Sequence, residues 1–160
     1  MTNFQIIIPV RRYDDSNALS EADALLMKKA REAASMAYAP YSGFHVGAAV
    51  RLANGAIVTG NNQENAAYPS GLCAERVAVF YASSQYPDVP IEAIAVTART
   101  KVRTISEPVS PCGACRQVLS EYETLHQTPI RIILAGETGP VVEFAKASDL
   151  LPMNFTSKDL

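Results

Sequence analysis

The sequence has no clustered run of lysine or arginine, although 14 basic and 16 acidic residues are spread over its 160 positions. Because a protein that binds the backbone of a long nucleic acid needs clustered positive charge, such a polymer is not expected as its partner. The chain also lacks any apolar stretch close to the roughly 20 residues that a transmembrane helix requires. The apolar residues 6–8 are too few for a signal-peptide core, and Arg11 and Arg12 follow them instead of preceding them, so we expect a cytoplasmic protein.

Cysteine is scarce and odd in number, since the chain contains only Cys73, Cys112 and Cys115. Three cysteines do not form a closed set of disulfides, and cytoplasmic thiols are usually reduced or bound to a metal. The only two histidines, His45 and His126, lack close ligand spacing to a cysteine. These three thiols are therefore the natural candidates for a metal site.

The length fits one domain, and 48% hydrophobic residues are enough for a sizeable core. Residues 1–18 show no periodicity and are predicted to be an N-terminal extension to a single domain at residues 19–160. Apolar residues at helical spacing predict a helix over residues 21–39, with Ser20 as its N-cap and Pro40 after its end. Further helices are predicted from about residue 73 and over residues 113–122, followed by a short turn near residue 148 with Ser148 as its cap.

Five strands are predicted between and after these helices. The dipeptide Asn54-Gly55 separates two apolar segments, residues 46–52 and 56–59, and is typical of the turn of a β-hairpin. Residues 94–98 and 131–135 have the composition of buried strands, and residues 141–144 that of an edge strand. This order predicts an α/β fold: a three-layer α/β/α sandwich with a mixed five-stranded sheet.

The cysteines form a pattern of their own. Cys112 and Cys115 make a C-x-x-C directly after Pro111, which by itself is typical of a redox pair or of half a structural zinc site. Cys73 alone would be a small buried apolar residue. Three thiolates with no fourth ligand, however, favour a catalytic zinc, because a catalytic site keeps one position open for water.

Glu75 and Arg76, which follow Cys73 closely in the sequence, add to this pattern. Glu75 is close enough in sequence to lie beside a metal-activated water and move its protons, although an acidic residue in the first turn of a helix also favours the helix dipole without any catalytic role. Three thiolates leave a zinc site with net negative charge, which helix N-termini and Arg76 would offset. The alternative for Arg76 is an exposed helix residue.

Four ordered segments resemble the cytidine deaminase family. They are residues 37–48 (AYAPYSGFHVGA), 60–68 (GNNQENAAY), 73–76 (CAER) and 111–118 (PCGACRQV), and a weaker fifth segment, residues 150–155 (LLPMNF), is similar to the C-terminal end of the family. Together they extend over residues 20–160. The zinc-dependent deaminases of nucleobases share the P-C-x-x-C element and a glutamate that is not a zinc ligand.

The resemblance implies the hydrolytic deamination of cytidine and deoxycytidine, a pyrimidine-salvage reaction, by a homotetramer with one Zn²⁺ per subunit. It implies that Cys73, Cys112 and Cys115 bind zinc and that Glu75 is the proton shuttle. For the nucleoside it implies Asn62 and Glu64 at the sugar hydroxyls, Phe44 and the backbone of Ala74 at the base, and Tyr68 and Phe155 completing the pockets of neighbouring subunits.

Several alternatives remain open from the sequence. Asn62 fits a turn in which its side chain bonds its own backbone, Glu64 fits a solvated loop, and Phe44 and Phe155 fit a plain core. At the level of function, the alternatives are a deaminase of another aminopyrimidine nucleoside such as a nucleoside antibiotic, a polynucleotide-editing deaminase, a non-catalytic zinc module and a thiol–disulfide protein.

Overall fold

Apolar residues on both faces of the strands build one six-stranded sheet with helices on each side. The computed structural model describes residues 1–160. Its elements are β1 (Val10–Tyr13), α1 (Glu21–Ala34), β2 (Phe44–Leu52), β3 (Ile57–Asn61), α2 (Ala74–Gln85), β4 (Ile91–Thr100), α3 (Gly113–His126), β5 (Arg131–Ala135) and β6 (Val141–Phe144). The strand order is β1-β6-β5-β4-β2-β3, with β4 and β5 parallel and all other neighbours antiparallel, so the predicted α/β class with a mixed sheet is confirmed.

The two faces of the sheet are separated by the two-residue period of its strands. In β4, Ile94 and Val96 belong to the larger core, to which α2 and α3 contribute, whereas Ala93 and Ala95 belong to the core beneath α1. Side chains alternate in this way because successive residues of a strand point to opposite faces. The predicted three-layer sandwich is therefore confirmed, with α1 as one outer layer and α2 with α3 as the other.

Two glycines allow the helices to lie directly against the sheet. A Cβ atom at Gly47 of β2 would lie 2.0 Å from the carbonyl oxygen of Ala30 in α1. A Cβ atom at Gly60 of β3 would lie 2.4 Å from the backbone nitrogen of Ala78 in α2. Any larger residue at Gly60 would push α2 away from the sheet, so this glycine helps to place the N-terminus of α2.

Helix α1 ends at Ala34 and not at Ala39, where the sequence predicted its end. The backbone of Tyr38 pairs instead with the segment that follows β3. The Tyr38 N–H donates to the carbonyl of Asn62 at 3.1 Å, and its carbonyl accepts from the Glu64 N–H at 2.9 Å. This pairing over a long sequence separation competes with the helix and brings residues 38–42 next to residues 62–64.

Strand β1 makes the sheet six-stranded where the sequence predicted five strands. It pairs antiparallel with β6, and the Tyr13 hydroxyl donates to Glu143 Oε2 at 2.6 Å. Val-Arg-Arg-Tyr has no alternation of apolar and polar residues, so no local pattern predicts this strand. Its position depends on Glu143, which is only 2% exposed in β6.

The turn predicted near residue 148 has a different cap from the one expected. A short 3₁₀ helix covers Ala147–Leu150, so Ser148 lies inside it and not at its N-cap. Glu123 of α3 accepts hydrogen bonds from the backbone N–H groups of Ala147 at 2.6 Å and Ser148 at 3.2 Å. The carboxylate of Glu123 thus satisfies the donors that a capping serine would have taken.

None of the helices is both long and apolar enough to cross a membrane.

A buried network of charges connects α1 to the sheet. Asp23 of α1 accepts hydrogen bonds from Arg131 Nη2 at 2.7 Å, from Arg51 Nη1 at 3.1 Å and from Ser20 Oγ at 2.9 Å. Arg131 also donates to Glu143 at 2.9 Å. Burial alone would raise the pKa of each carboxyl, but hydrogen bonds from Arg131 and Ser20 to Asp23, and from Tyr13 and Arg131 to Glu143, lower both pKa values below the ordinary ones.

These lowered pKa values predict a loss of stability in acid. A carboxyl whose pKa is lower in the folded chain stabilises the fold above its unfolded pKa, about 3.9 for Asp and 4.3 for Glu. That contribution is lost as the pH falls through the unfolded values towards the folded ones. Urea unfolding between pH 7 and pH 2 should show this decrease, and Asp23→Asn should make it shallower. The same slope in both proteins would contradict the assignment.

Candidate metal centre and adjoining pocket

The three cysteine sulfurs converge where two helices begin. Cys73 is the N-cap of α2, Cys112 is the N-cap of α3, and Cys115 lies in the first turn of α3. Cys73 Sγ lies 3.7 Å from Cys112 Sγ, which lies 3.5 Å from Cys115 Sγ. These distances are far too long for a disulfide bond of about 2.05 Å. The cluster therefore consists of free thiols on two elements that the fold brings together.

The donor set and its spacing fit zinc. All three sulfur atoms lie within 4.8 Å of one another. With Zn–S bonds of about 2.3 Å, tetrahedral ligands lie about 3.8 Å apart, close to the two sulfur–sulfur distances given above. Neither His45 nor His126 belongs to the cluster, so the protein supplies three ligands and leaves a fourth position for another molecule. That is the arrangement of a catalytic zinc.

The surroundings favour negative charge on sulfur. Hydrogen bonds from Cys115, Arg76 and Cys112 lower the pKa of Cys73 to about 5, although burial opposes this shift. The hydrogen bond with Cys73, burial and the nearby charge of Glu75 raise the pKa of Cys115. Cys73 and Cys112 are the N-cap residues of α2 and α3, where the positive end of the helix dipole favours a negatively charged sulfur.

Arg76 lies against the cysteine cluster and not in open solvent. Its Nη2 donates to Cys73 Sγ at 3.7 Å, while its Nε is buried without a hydrogen-bond partner. A guanidinium in this place offsets part of the charge of three thiolates. The positive charge of Arg76 therefore partly balances the net negative charge of a zinc site with three thiolate ligands.

Glu75 is held at the same helix end. It is the second residue of α2, is 5% exposed and lines the pocket together with Cys73 and Cys112. Burial is the main cause of a raised pKa for this carboxyl, and the charge of Cys73 raises it further. A buried carboxyl next to a cluster of metal ligands is placed to exchange protons with a molecule in the pocket.

The pocket in front of the cluster has a volume of about 580 Å³. This lies within the roughly 300–1,000 Å³ that is typical of small-molecule sites, and it suits a nucleoside-sized ligand. The structure brings most of the predicted site residues to its wall: Phe44, Asn62, Glu64, Tyr68, Cys73, Glu75, Arg76 and Cys112. Cys115 lies fully buried behind the wall.

Asn62 and Glu64 both bind the chain around β2. Asn62 Oδ1 accepts from the Val46 N–H at 2.7 Å, and its Nδ2 donates to the Phe44 carbonyl at 2.9 Å. Glu64 Oε2 accepts from the backbone N–H groups of Tyr41 at 2.8 Å and Ser42 at 3.2 Å, and Oε1 accepts from the Ser42 hydroxyl. These bonds hold the Glu64 carboxylate at the pocket wall, and the bond from Ser42 is the main cause that lowers its pKa.

The other predicted substrate-binding residues differ in whether they reach the pocket wall. Phe44 and Tyr68 line the pocket, and Tyr68 is 77% exposed, with its ring in a T-shaped contact with that of Tyr41. Ala74 is fully buried at the start of α2 and is not part of the wall. Phe155 lies outside the wall and is 59% exposed, and its carbonyl accepts from Gln117 of α3 at 2.8 Å. Two large aromatic side chains are thus exposed near the C-terminus and at the pocket mouth.

The wall also contains residues that the sequence did not single out. Ser42 fixes Glu64, as described above, and Val109 and Ser110 precede the C-x-x-C segment. The remaining wall residues are Tyr41, Val46, Gln63, Asn65, Gly71, Leu72 and Val96. Tyr41, Ser42 and Val46 lie within the segment 37–48, and Gln63 and Asn65 within the segment 60–68, so the sequence resemblance already included them. The remaining five wall residues lie outside those segments, and only the folded chain brings them to the pocket: Gly71, Leu72, Val96, Val109 and Ser110.

Comparison with known proteins gives one consistent family. Residues 20–128 match the family model described as the cytidine and deoxycytidylate deaminase zinc-binding region. A cytidine deaminase of Halalkalibacterium halodurans is 43% identical over 136 residues, which is 85% of this chain and 96% of that protein. The crystal structure of cytidine deaminase from Burkholderia pseudomallei is 41% identical with a TM-score of 0.71 over 82% of this chain and 97% of that one. A blasticidin-S deaminase of Bacillus cereus is 30% identical over 86% of this chain and 95% of that protein.

Proposed function

The chain belongs to the cytidine and deoxycytidylate deaminase family, and on that premise we propose that it converts cytidine and deoxycytidine to uridine and deoxyuridine by hydrolysis, with release of ammonia. The observation that carries the proposal is the convergence of three cysteine sulfurs and a buried glutamate at one pocket. The enzyme is a hydrolase that breaks a carbon–nitrogen bond of a cyclic amidine. Residues 19–160 form its catalytic domain, and the N-terminal extension adds β1 to the edge of its sheet. The enzyme acts in the cytoplasm, in pyrimidine salvage.

Cys73, Cys112 and Cys115 hold one Zn²⁺ per subunit. When bound, zinc acts as a Lewis acid that lowers the pKa of a coordinated water from 15.7 towards roughly 7 and so provides a nucleophile at neutral pH. Arg76 donates to the Cys73 sulfur and keeps part of the ligand charge from weakening that effect. The two helix N-termini act in the same direction.

Glu75 moves the protons of the reaction. Its carboxylate takes a proton from the attacking water and delivers it to ring N3, which makes C4 more electrophilic. It then carries the second proton to the amino group, which leaves as ammonia. Burial at the pocket wall supports this role, because bulk water does not compete for the protons there.

The wall opposite the cysteines binds the nucleoside. Glu64 accepts hydrogen bonds from the sugar hydroxyls while Ser42 and the backbone N–H groups fix its carboxylate. The Oδ1 and Nδ2 atoms of Asn62 both form hydrogen bonds with β2. Asn62 therefore supports the sugar site chiefly by holding the strand that carries Phe44. Phe44 packs near the base, and Ala74, which is buried between Cys73 and Glu75 at the start of α2, provides the backbone for its polar edge.

The assembly that we propose is a homotetramer. Tyr68 and Phe155 are exposed in the single chain, at 77% and 59%, although both are large aromatic residues. In the tetramer they complete the pockets of neighbouring subunits. Sedimentation of the zinc-loaded protein gives the oligomeric state directly, and a monomer with full activity would contradict this part of the proposal.

The sugar contact predicts a selective loss. Glu64→Gln should lower kcat/KM for cytidine about tenfold or more, because a hydrogen bond to a charged group is worth about 1.5–3 kcal/mol. The kcat/KM for free cytosine, which has no sugar, should change little. Steady-state assays with both substrates measure the difference, and Asp88→Asn, which removes an exposed carboxylate outside the pocket, is the matched control. Equal losses for cytidine and cytosine would place the sugar elsewhere.

A second candidate function is the deamination of a nucleoside antibiotic. Its support is the 30% identity with the blasticidin-S deaminase, against 43% with the cytidine deaminase. Ammonia release from cytidine, deoxycytidine and blasticidin S at equal concentrations separates the two candidates. We expect the natural nucleosides to be preferred.

A further inference from the structure

A second cavity lies on the opposite face of the sheet from the pocket. Its wall is formed by Arg31 and Ala34 of α1, by Thr97, Ala98 and Arg99 of β4, and by Glu137 after β5. Thr97 is two residues after Ala95, which packs beneath α1, so the cavity belongs to the α1 side. With a volume of about 200 Å³ it is smaller than the roughly 300 Å³ at which sites for organic ligands begin. Its size suits a small ion.

The two arginines of this cavity have no anionic partner. Arg31 Nε is buried without any hydrogen-bond acceptor, and the only contact of its guanidinium is from Nη1 to Ser16 Oγ at 3.2 Å. Arg99 forms no ion pair or side-chain hydrogen bond. By contrast, both guanidiniums that contact Asp23 of α1 are paired with carboxylates: Arg51 with Asp23, and Arg131 with Asp23 and Glu143. A buried N–H donor without an acceptor is costly, and a bound oxyanion supplies acceptors.

The third charged group restricts the kind of anion. Glu137 uses Oε2 to accept from the Ile105 N–H at 3.2 Å, and it makes no ion pair with either arginine. A carboxylate in the wall repels a ligand that has acceptors only. A ligand that is anionic and also carries a hydroxyl proton satisfies the arginines and the carboxylate together.

We propose that this cavity binds hydrogen phosphate, with Arg31 and Arg99 donating to its oxygens and Glu137 accepting from its hydroxyl. Two guanidiniums and one carboxylate give the wall a net charge of +1, which complements the anion. Sulfate has the same size and no proton at neutral pH, so the site should prefer phosphate. The residues lie on α1, β4 and the loop after β5, and the bound ion therefore links α1 to the C-terminal end of β4.

Calorimetric titration of the zinc-loaded protein with inorganic phosphate at pH 7 tests the site. One phosphate per chain should bind, and Arg31→Gln and Arg99→Gln should each weaken binding about tenfold. Arg12→Gln, which removes an exposed arginine of β1 outside the cavity, should leave the affinity unchanged. If Arg31→Gln does not fold, Arg99→Gln decides, because Arg99 is exposed. No binding, or the same affinity in all four proteins, would overturn the proposal.

Two further titrations test the chemistry of the ligand. Sulfate should bind more weakly than phosphate to the unmodified protein, and Glu137→Gln should reduce this preference because an amide can donate to sulfate. Equal affinities for the two ions in the unmodified protein would overturn the contact with Glu137. Cytidine 5′-monophosphate should not displace bound phosphate from the site, and displacement that is lost in Arg99→Gln would assign the cavity to a nucleotide instead.

Discussion

Replacing Glu75 by glutamine should abolish nearly all ammonia release from cytidine while the protein keeps its zinc. Glutamine has almost the same volume and leaves Cys73, Cys112 and Cys115 untouched, so the metal site should remain. It cannot accept and return a proton, however, and a positioned acid–base group contributes about 10²–10⁴-fold to a rate. Turnover at saturating cytidine and zinc content by metal analysis are the two quantities to measure.

The control for this variant is Glu121→Gln on α3. Glu121 is exposed and does not line the pocket, so its substitution removes the same charge without touching the site. Its rate and zinc content should match those of the unmodified protein. A Glu75→Gln protein that retains its zinc and turns over cytidine at close to the normal rate would remove Glu75 from its role.

The second large effect is expected on stability. Asp23→Ala should destabilise the chain by about 3–5 kcal/mol, because it leaves half-buried Arg131 without one of its two carboxylates and leaves Arg51 with Glu92 as its one remaining carboxylate partner. Asp23 is 5% exposed, so water does not replace it easily. The decrease in the free energy of unfolding, measured by urea titration at pH 7, gives the size of the effect.

Two comparisons give this stability measurement its meaning. Asp88→Ala removes an exposed carboxylate and should change the free energy of unfolding by less than about 0.5 kcal/mol. At pH 7 the Asp23→Ala protein should also retain the zinc site, because Asp23 lies on the α1 side of the sheet. A loss below about 1 kcal/mol would mean that the network on this face contributes little to folding.

The sequence predicted those parts of the fold that follow from local patterns. The apolar segment 94–98 of β4 and the Asn54-Gly55 turn are both local patterns. The first follows from burial of the strand and the second from the backbone of glycine, which has φ +84° at Gly55. Strand β1 was not predictable in this way, because Val-Arg-Arg-Tyr joins the sheet through contacts with Glu143, which lies 130 residues from Tyr13. The early end of α1 was not predictable for the same reason, since Tyr38 pairs with the segment after β3, which is distant in sequence.

The candidate site also combines residues that local patterns predict with residues that only the folded chain brings together. The spacing of Cys112, Cys115, Cys73 and Glu75 points to a metal and a proton carrier because ligand chemistry depends on residue type and short spacing. Ser42 holds the carboxylate of Glu64, which is 22 residues away, and no local pattern predicts this contact. The cavity at Arg31 and Arg99 is also assembled from separate elements, so only the folded chain reveals it.

The most direct test is ammonia release from cytidine by the purified protein, before zinc is removed with a chelator, after its removal and after zinc is restored. We expect release that disappears with zinc and returns with it. This result would establish hydrolytic deamination at the three-cysteine site and leave only the preference among nucleosides to be measured. No release from cytidine by folded protein with zinc bound would contradict the assignment and turn attention to another aminopyrimidine.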